Sequence, residues 1–153
     1  MNEIERIKKL FEDLYEGDPW IDINLLGRLQ KLTAAKASRK LTPDTNSIWE
    51  IVNHLIQWRE NVLLRLQGTV IPTPSHNYFT QVTITTSAAW KKTLDRLDAS
   101  QLSWLNYLDK LKPASLNKIY PGNNMTYYEH IQGILQHDAY HLGQIVLLMK
   151  ATQ

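Results

Sequence analysis

Residues Thr126–Lys150 read TYYEHIQGILQHDAYHLGQIVLLMK. Thr126 with Glu129 three residues on forms a capping box: the hydroxyl accepts from an orphan amide of the first turn, and the carboxylate reaches back to the cap's own N–H. Ile134, Ile145 and Leu148 then recur on one side at helical spacing. At about 100° per residue, His137 and His141 stand about 40° apart on the wheel and one turn apart along the axis. His130 falls between them in angle, two turns below His137. Three imidazoles therefore point where the apolar stripe points, into a seam between helices.

Working outward, the rest of the chain divides in the same way. Ser47-Ile48-Trp49-Glu50 is a second capping box and opens a helix to about Leu66, with Ile51, Leu55, Trp58 and Val62 on its apolar face and Gly68 closing it. Upstream, Ile4, Ile7, Leu10, Phe11 and Leu14 make a helical stripe from Asn2 to Tyr15, ended by Gly17. Asp18-Pro19 reads as an N-cap with proline at the first helical position, leading a second stretch from Trp20 to about Lys40 that carries Leu25, Leu29 and Leu32. The two pieces are expected to form one broken helix. Ser87 opens another, with Trp90, Leu94, Leu97, Leu105, Leu108 and Leu111 repeating at three and four until Pro113. From Thr69 to Thr85, Pro72 and Pro74 favour a loop, long enough that it is expected to cross the molecule or form part of a site. Four amphipathic helices with one long connection after the second predict an all-α fold, a four-helix bundle with a crossover, as a single domain over residues 1–153.

Composition narrows the chemistry. Apolar residues at 43% suffice for a core. The absence of cysteine excludes disulfides, iron–sulfur clusters, thiolate zinc sites and cysteine nucleophiles. A metal, if bound, needs His, carboxylate or main-chain oxygen ligands. A net charge of +2 with dispersed basic residues gives no footprint for nucleic acid. The longest clean apolar run, Ile145 to Met149, is far too short to cross a bilayer. The charged opening MNEIERIKK lacks the apolar centre of a secretory signal, so a cytoplasmic location without membrane partners is the expectation.

The histidines carry the sharpest signal. Two imidazoles stacked in an apolar seam leave ring nitrogens that need partners. A metal takes one nitrogen from each and leaves the other for a neighbouring polar group. An HxxxH pair has the reach for two ligands, although pairs at this spacing also arise by chance. His54, at the edge of the Ile51/Trp58 face, either turns into the seam as a third nitrogen ligand or stays on the helix surface bonded to water. Three protein ligands with open positions describe a reactive site. His130 and Gln144 are candidates for orienting a substrate or supporting the ligands, against packing roles; for His130 the packing role is satisfaction by a neighbouring tyrosine. His76 is expected in solvent, and Asp138, about 100° from His137 on the wheel, is expected to be a surface carboxylate. Tyr140 is expected to pack on a neighbouring helix, with its hydroxyl free to contact the groups that support the ligands. Trp49, Trp58, Trp90 and Trp104 read as core, and the Lys36, Arg39, Lys40 cluster as a solvated helix end.

HDAYHLGQIVLL, His137 to Leu148, resembles the signature of the DinB/YfiT superfamily, and SIWEIVNHLIQW, Ser47 to Trp58, resembles the second helix of that family. The two segments share one four-helix register, so the resemblance spans nearly the whole chain. It implies an up-down-down-up bundle with the long link between helices two and three. It implies a divalent metal on one histidine of helix two and two of helix four, here His54, His137 and His141, with zinc or nickel foremost and iron, manganese or copper compatible. It also implies thiol S-transferase activity with a low-molecular-weight thiol in some members, and frequent homodimers. No motif in this chain specifies a thiol. Two functions follow as expectations: a metal-dependent enzyme of the transferase or hydrolase type, or a non-catalytic metal-binding module of a stress response. Catalytic residues beyond the ligands are not assigned.

Overall fold

The computed structural model describes residues 1–152. The order is α1 (Glu3–Tyr15), α2 (Leu25–Leu29), α3 (Ala34–Ser38), α4 (Ile48–Leu66), α5 (Ser87–Lys110), a 3-10 turn (Pro113–Asn117) and α6 (Tyr127–Ala151). No strand occurs among the described residues, and Ile119 and Thr126 form an isolated bridge. No helix among the described residues is long and apolar enough to cross a membrane.

The two capping boxes form as their sequences dictate. Ser47 accepts from the Glu50 amide while Glu50 accepts from the Ser47 amide, and Thr126 and Glu129 repeat the exchange. Asn2 and Glu5 make a third box at α1. Gly68 follows α4 at φ +98°, a conformation that costs a glycine little.

The long helices close into a ring in which α4 packs on α5 and α6, and α1 packs on the same two. Directions follow from the pairs. Trp49 bonds Thr93, Arg59 bonds Gln101 and Tyr107 bonds Leu66, so α4 and α5 run the same way. Arg59 meets Asp138 while His54, one turn earlier, meets His141, so α6 runs against α4. Lys8 meets Asp109 and Tyr15 meets Asp98, so α1 runs against α5. A parallel step from α4 to α5 requires a link that returns along the helix axis, and the connection between Leu66 and Ser87 supplies it.

The N-terminal reading needs correction. Residues 20–40 are not one helix but two five-residue ones, α2 capped by Asn24 and α3 capped by Thr33. Asp18-Pro19 does not start either. Asp22 turns at φ +60°, and the Asn24 side chain outcompetes Asp18 by bonding both the Gly27 amide and the Gly17 carbonyl. The core runs through Phe11, Leu55, Ile56, Leu97, Trp104, Leu108, Ile131 and Leu142. Trp49, Trp90 and Trp104 belong to it, whereas Trp58 is half-buried beside a cavity.

Candidate metal centre

His54 is carried into the seam by the buried face of α4, and His137 and His141 by the facing turns of α6. Their ligand atoms lie within 4.8 Å of one another. Nε2 of His54 and Nε2 of His137 are 3.0 Å apart. His54 and His141 are buried, and His137 keeps a quarter of its side chain exposed.

The protons on these rings are fixed by their outer partners. His54 Nδ1 lies 2.7 Å from the Asn77 carbonyl oxygen, which can only accept, so the proton sits on Nδ1 and the Nε2 lone pair faces inward. Gln144 donates through Nε2 to the Tyr140 hydroxyl, which leaves Oε1 to accept from His141 Nδ1 at 2.7 Å. His141 therefore also holds a free Nε2. Burial is the main reason both rings stay neutral. It lowers His54 to about 4, with His137 and His141 adding to the shift against the Asn77 bond, and it lowers His141, with His137 adding to the shift. Neutral imidazoles with inward lone pairs are the form that binds a cation.

His137 supplies the test of fit. Its buried Nδ1 has no hydrogen-bond partner, and neither does Oδ1 of the neighbouring Asp138, 3.9 Å away. Without a cation, His137 donates from Nε2 to the His54 lone pair, and a bare Nδ1 lone pair then faces a bare carboxylate oxygen. Were His137 to offer Nε2 to a cation, its proton would sit on Nδ1, between those two acceptors. The residues present therefore fit a metal better than they fit one another.

With this geometry in hand, comparison places the chain. A family model of the DinB superfamily matches residues 24–145. The chain belongs to the DinB superfamily. A conserved protein of Enterococcus faecalis, known from its crystal structure, is similar in fold, with a TM-score of 0.63 over 97% of this chain and 92% of that one at 18% identity. No protein of curated function matches the sequence.

In this DinB-superfamily chain the loop between α4 and α5 completes the centre. Asn77 and Tyr78 take left-handed backbone, φ +50° and +59°. This turns the Asn77 carbonyl onto His54 and its side-chain oxygen onto the Trp58 indole N–H, 3.0 Å. Phe79 stacks on the His54 ring at 3.8 Å. Neither Asn77 nor Phe79 announces itself in the sequence; the only signal is the length of the loop.

The other candidates fall into place around the triad. His130 is not brought into the cluster. Its Nδ1 donates to the Thr126 carbonyl at 2.9 Å, its Nε2 accepts from Asn123, and the Tyr120 ring meets it edge-on. His76 is exposed. Asp138 overturns the expectation of a surface carboxylate: it is fully buried and binds Arg59 at 2.8 Å, because α6 is flanked by α4 and its wheel angle from His137 measured direction and not exposure. Tyr140 is corrected in its packing, since it is exposed, while its hydroxyl meets Gln144, which supports His141, as expected. Lys40 is not merely solvated, since it pairs with the buried Glu50 at 3.2 Å.

Beside the triad lies a cavity of about 270 Å³ lined by Trp58, Val62, Arg65, Asn77, His130, Ile134 and His137 among others. A second cavity, about 320 Å³ between α4 and α5, holds no histidine.

Proposed function

We propose that His54, His137 and His141 hold one divalent cation, zinc or nickel foremost, and that the protein is a metal-dependent enzyme of the thiol S-transferase or hydrolase type. The observation that carries this reading is the pair of Nδ1 bonds, from His54 to Asn77 and from His141 to Gln144, which aim two neutral Nε2 lone pairs at the His137 ring. A divalent ion on three imidazoles supplies Lewis acidity that brings a bound thiol or water to its anionic form near neutral pH. The chain does the rest. Asn77 and Gln144 fix two rings, Asp138 stands ready to fix the third, and Phe79 shields His54 from water. The cavity at His137 offers a reactant a place beside the centre, which favours the catalytic reading over a stress-response module that merely stores or senses metal.

The test is metal content on protein purified without a nickel column and reconstituted with zinc or nickel. One equivalent per chain, lost in His141→Ala, supports the reading, and no uptake overturns it. A transfer screen of the loaded protein with several low-molecular-weight thiols and electrophilic acceptors then separates transferase from hydrolase.

A further inference from the structure

The wall of the cavity beside the triad carries a cation that pairs with no carboxylate among the described residues. Arg65 on α4 is 7% exposed, and its Nε has no partner. Among the described residues its side chain makes one hydrogen bond, from Nη2 to Thr73 Oγ1 at a long 3.4 Å. The guanidinium carbon lies 5.5 Å from the Trp58 ring and 5.3 Å from the Tyr120 ring, so two aromatic faces hold it in place. No acidic group among the described residues forms a salt bridge with it; Glu129, on the same cavity wall, is turned to Thr126 through Oε2 and makes no ion pair with Arg65. The contrast with Arg59, buried still more deeply and bonded to Asp138, is direct.

A buried guanidinium without an anion is costly, and its fork of donors matches an oxyanion in geometry. The Trp58 ring carries the Arg65 guanidinium at 5.5 Å and meets the His137 ring edge-on at 6.2 Å, so one indole touches both the cation and the triad. Val62, Ile134 and Met125 add apolar surface to the wall, with Asn123 and His130 among its polar groups. We infer that this cavity binds a small molecule with an apolar middle and a terminal oxyanion, carboxylate or phosphonate-like, which Arg65 receives while the other end faces the histidines. The inference deepens the metal-centre reading and rests on it for the direction of the molecule, since His137 is the reacting end.

Calorimetry decides it with three probes of one shape: 4-phenylbutyrate, the neutral 4-phenylbutanamide and 3-phenylpropylphosphonate. Each is titrated into chelator-treated protein, so that anion recognition is read without metal, and then into zinc-loaded protein. Binding of either anion about tenfold or more tighter than the amide, with the preference lost in Arg65→Met and partly kept in Arg65→Lys, supports the inference; the tighter anion names the group. Equal affinity for acid and amide, no binding at millimolar concentration, or an undiminished preference in Arg65→Met overturns it. If Arg65→Met does not fold, the Nε resonance of Arg65 in the unaltered protein, assigned by its loss in Arg65→Lys, gives the answer: it moves with the acid and not with the amide, or the inference falls. Failed metal uptake with the anion preference intact sinks only the metal reading, and metal uptake without the preference sinks only this one.

Discussion

Nδ1 of His137 and Oδ1 of Asp138 face each other at 3.9 Å, both buried and neither with any other partner. The other carboxylate oxygen of Asp138 is bound by Arg59, whose side chain also reaches Gln101 on α5. One acidic residue thus joins the core of the α4–α5–α6 packing to the ligand ring. If the triad holds a cation as proposed, stability and metal affinity are coupled through this residue.

Replacing Asp138 separates the two roles. Asp138→Ala leaves Arg59 as an uncompensated buried cation, a change of about 3–5 kcal/mol, and urea unfolding should show a loss of that order. Pairing it with Arg59→Met removes the stranded charge and should recover most of the stability. Metal affinity should not recover with it, because His137 still lacks its acceptor; the expected deficit is about 10–100-fold. A double variant with full metal affinity would assign Asp138 to folding alone.

Metal should stabilise the fold by mass action, since the ligands come from two helices that separate on unfolding. At free zinc a hundredfold above Kd the gain is about 2.7 kcal/mol, read as a rise in Tm over chelator-treated protein. His54→Ala should abolish the rise, and His130→Ala should leave it intact because His130 bonds Thr126 and Asn123 outside the triad.

Acid should weaken the metal-free protein through His54. Its folded value, about 4, lies below the ordinary 6.5, chiefly because burial disfavours the imidazolium. The unfolded chain therefore binds the extra proton first. The stability that neutral His54 contributes is complete above pH 6.5, falls as pH drops from 6.5 toward 4, and is gone below that. Unfolding curves in chelator across this window should show the decline, and His54→Gln should make it shallower without removing it, because burial lowers His141 as well. Parallel curves for the two proteins would locate the acid sensitivity elsewhere.

What the sequence disclosed follows the reach of local rules. The boxes at Ser47 and Thr126 and the His137/His141 spacing are set within a single turn of helix, and the helices form where those signals place them. His54 stayed open because a wheel angle cannot say which helix lies opposite. The burial of Asp138 is hidden for the same reason, its partner Arg59 being distant in the chain. Asp18-Pro19 satisfied a local capping rule that Asn24 satisfies better by bonding both sides of the turn. Asn77 and Phe79 were beyond reach altogether, since their roles depend on a loop folding back over α4.

That loop contact gives the last expectation. At φ +50° Asn77 occupies left-handed backbone that asparagine tolerates and a β-branched residue does not. Asn77→Gly keeps both the backbone conformation and the carbonyl that accepts from His54, and loses only the bond to Trp58. Asn77→Val meets a penalty of about 1–2 kcal/mol in that conformation, relieved by turning the peptide and withdrawing the carbonyl. His54 then loses the acceptor that fixes its tautomer. Metal affinity should therefore hold within a few-fold in Asn77→Gly and drop about tenfold or more in Asn77→Val, measured by competition with a chromogenic chelator. Equal losses in both variants would show that the Asn77 side chain, through Trp58, matters more than its carbonyl.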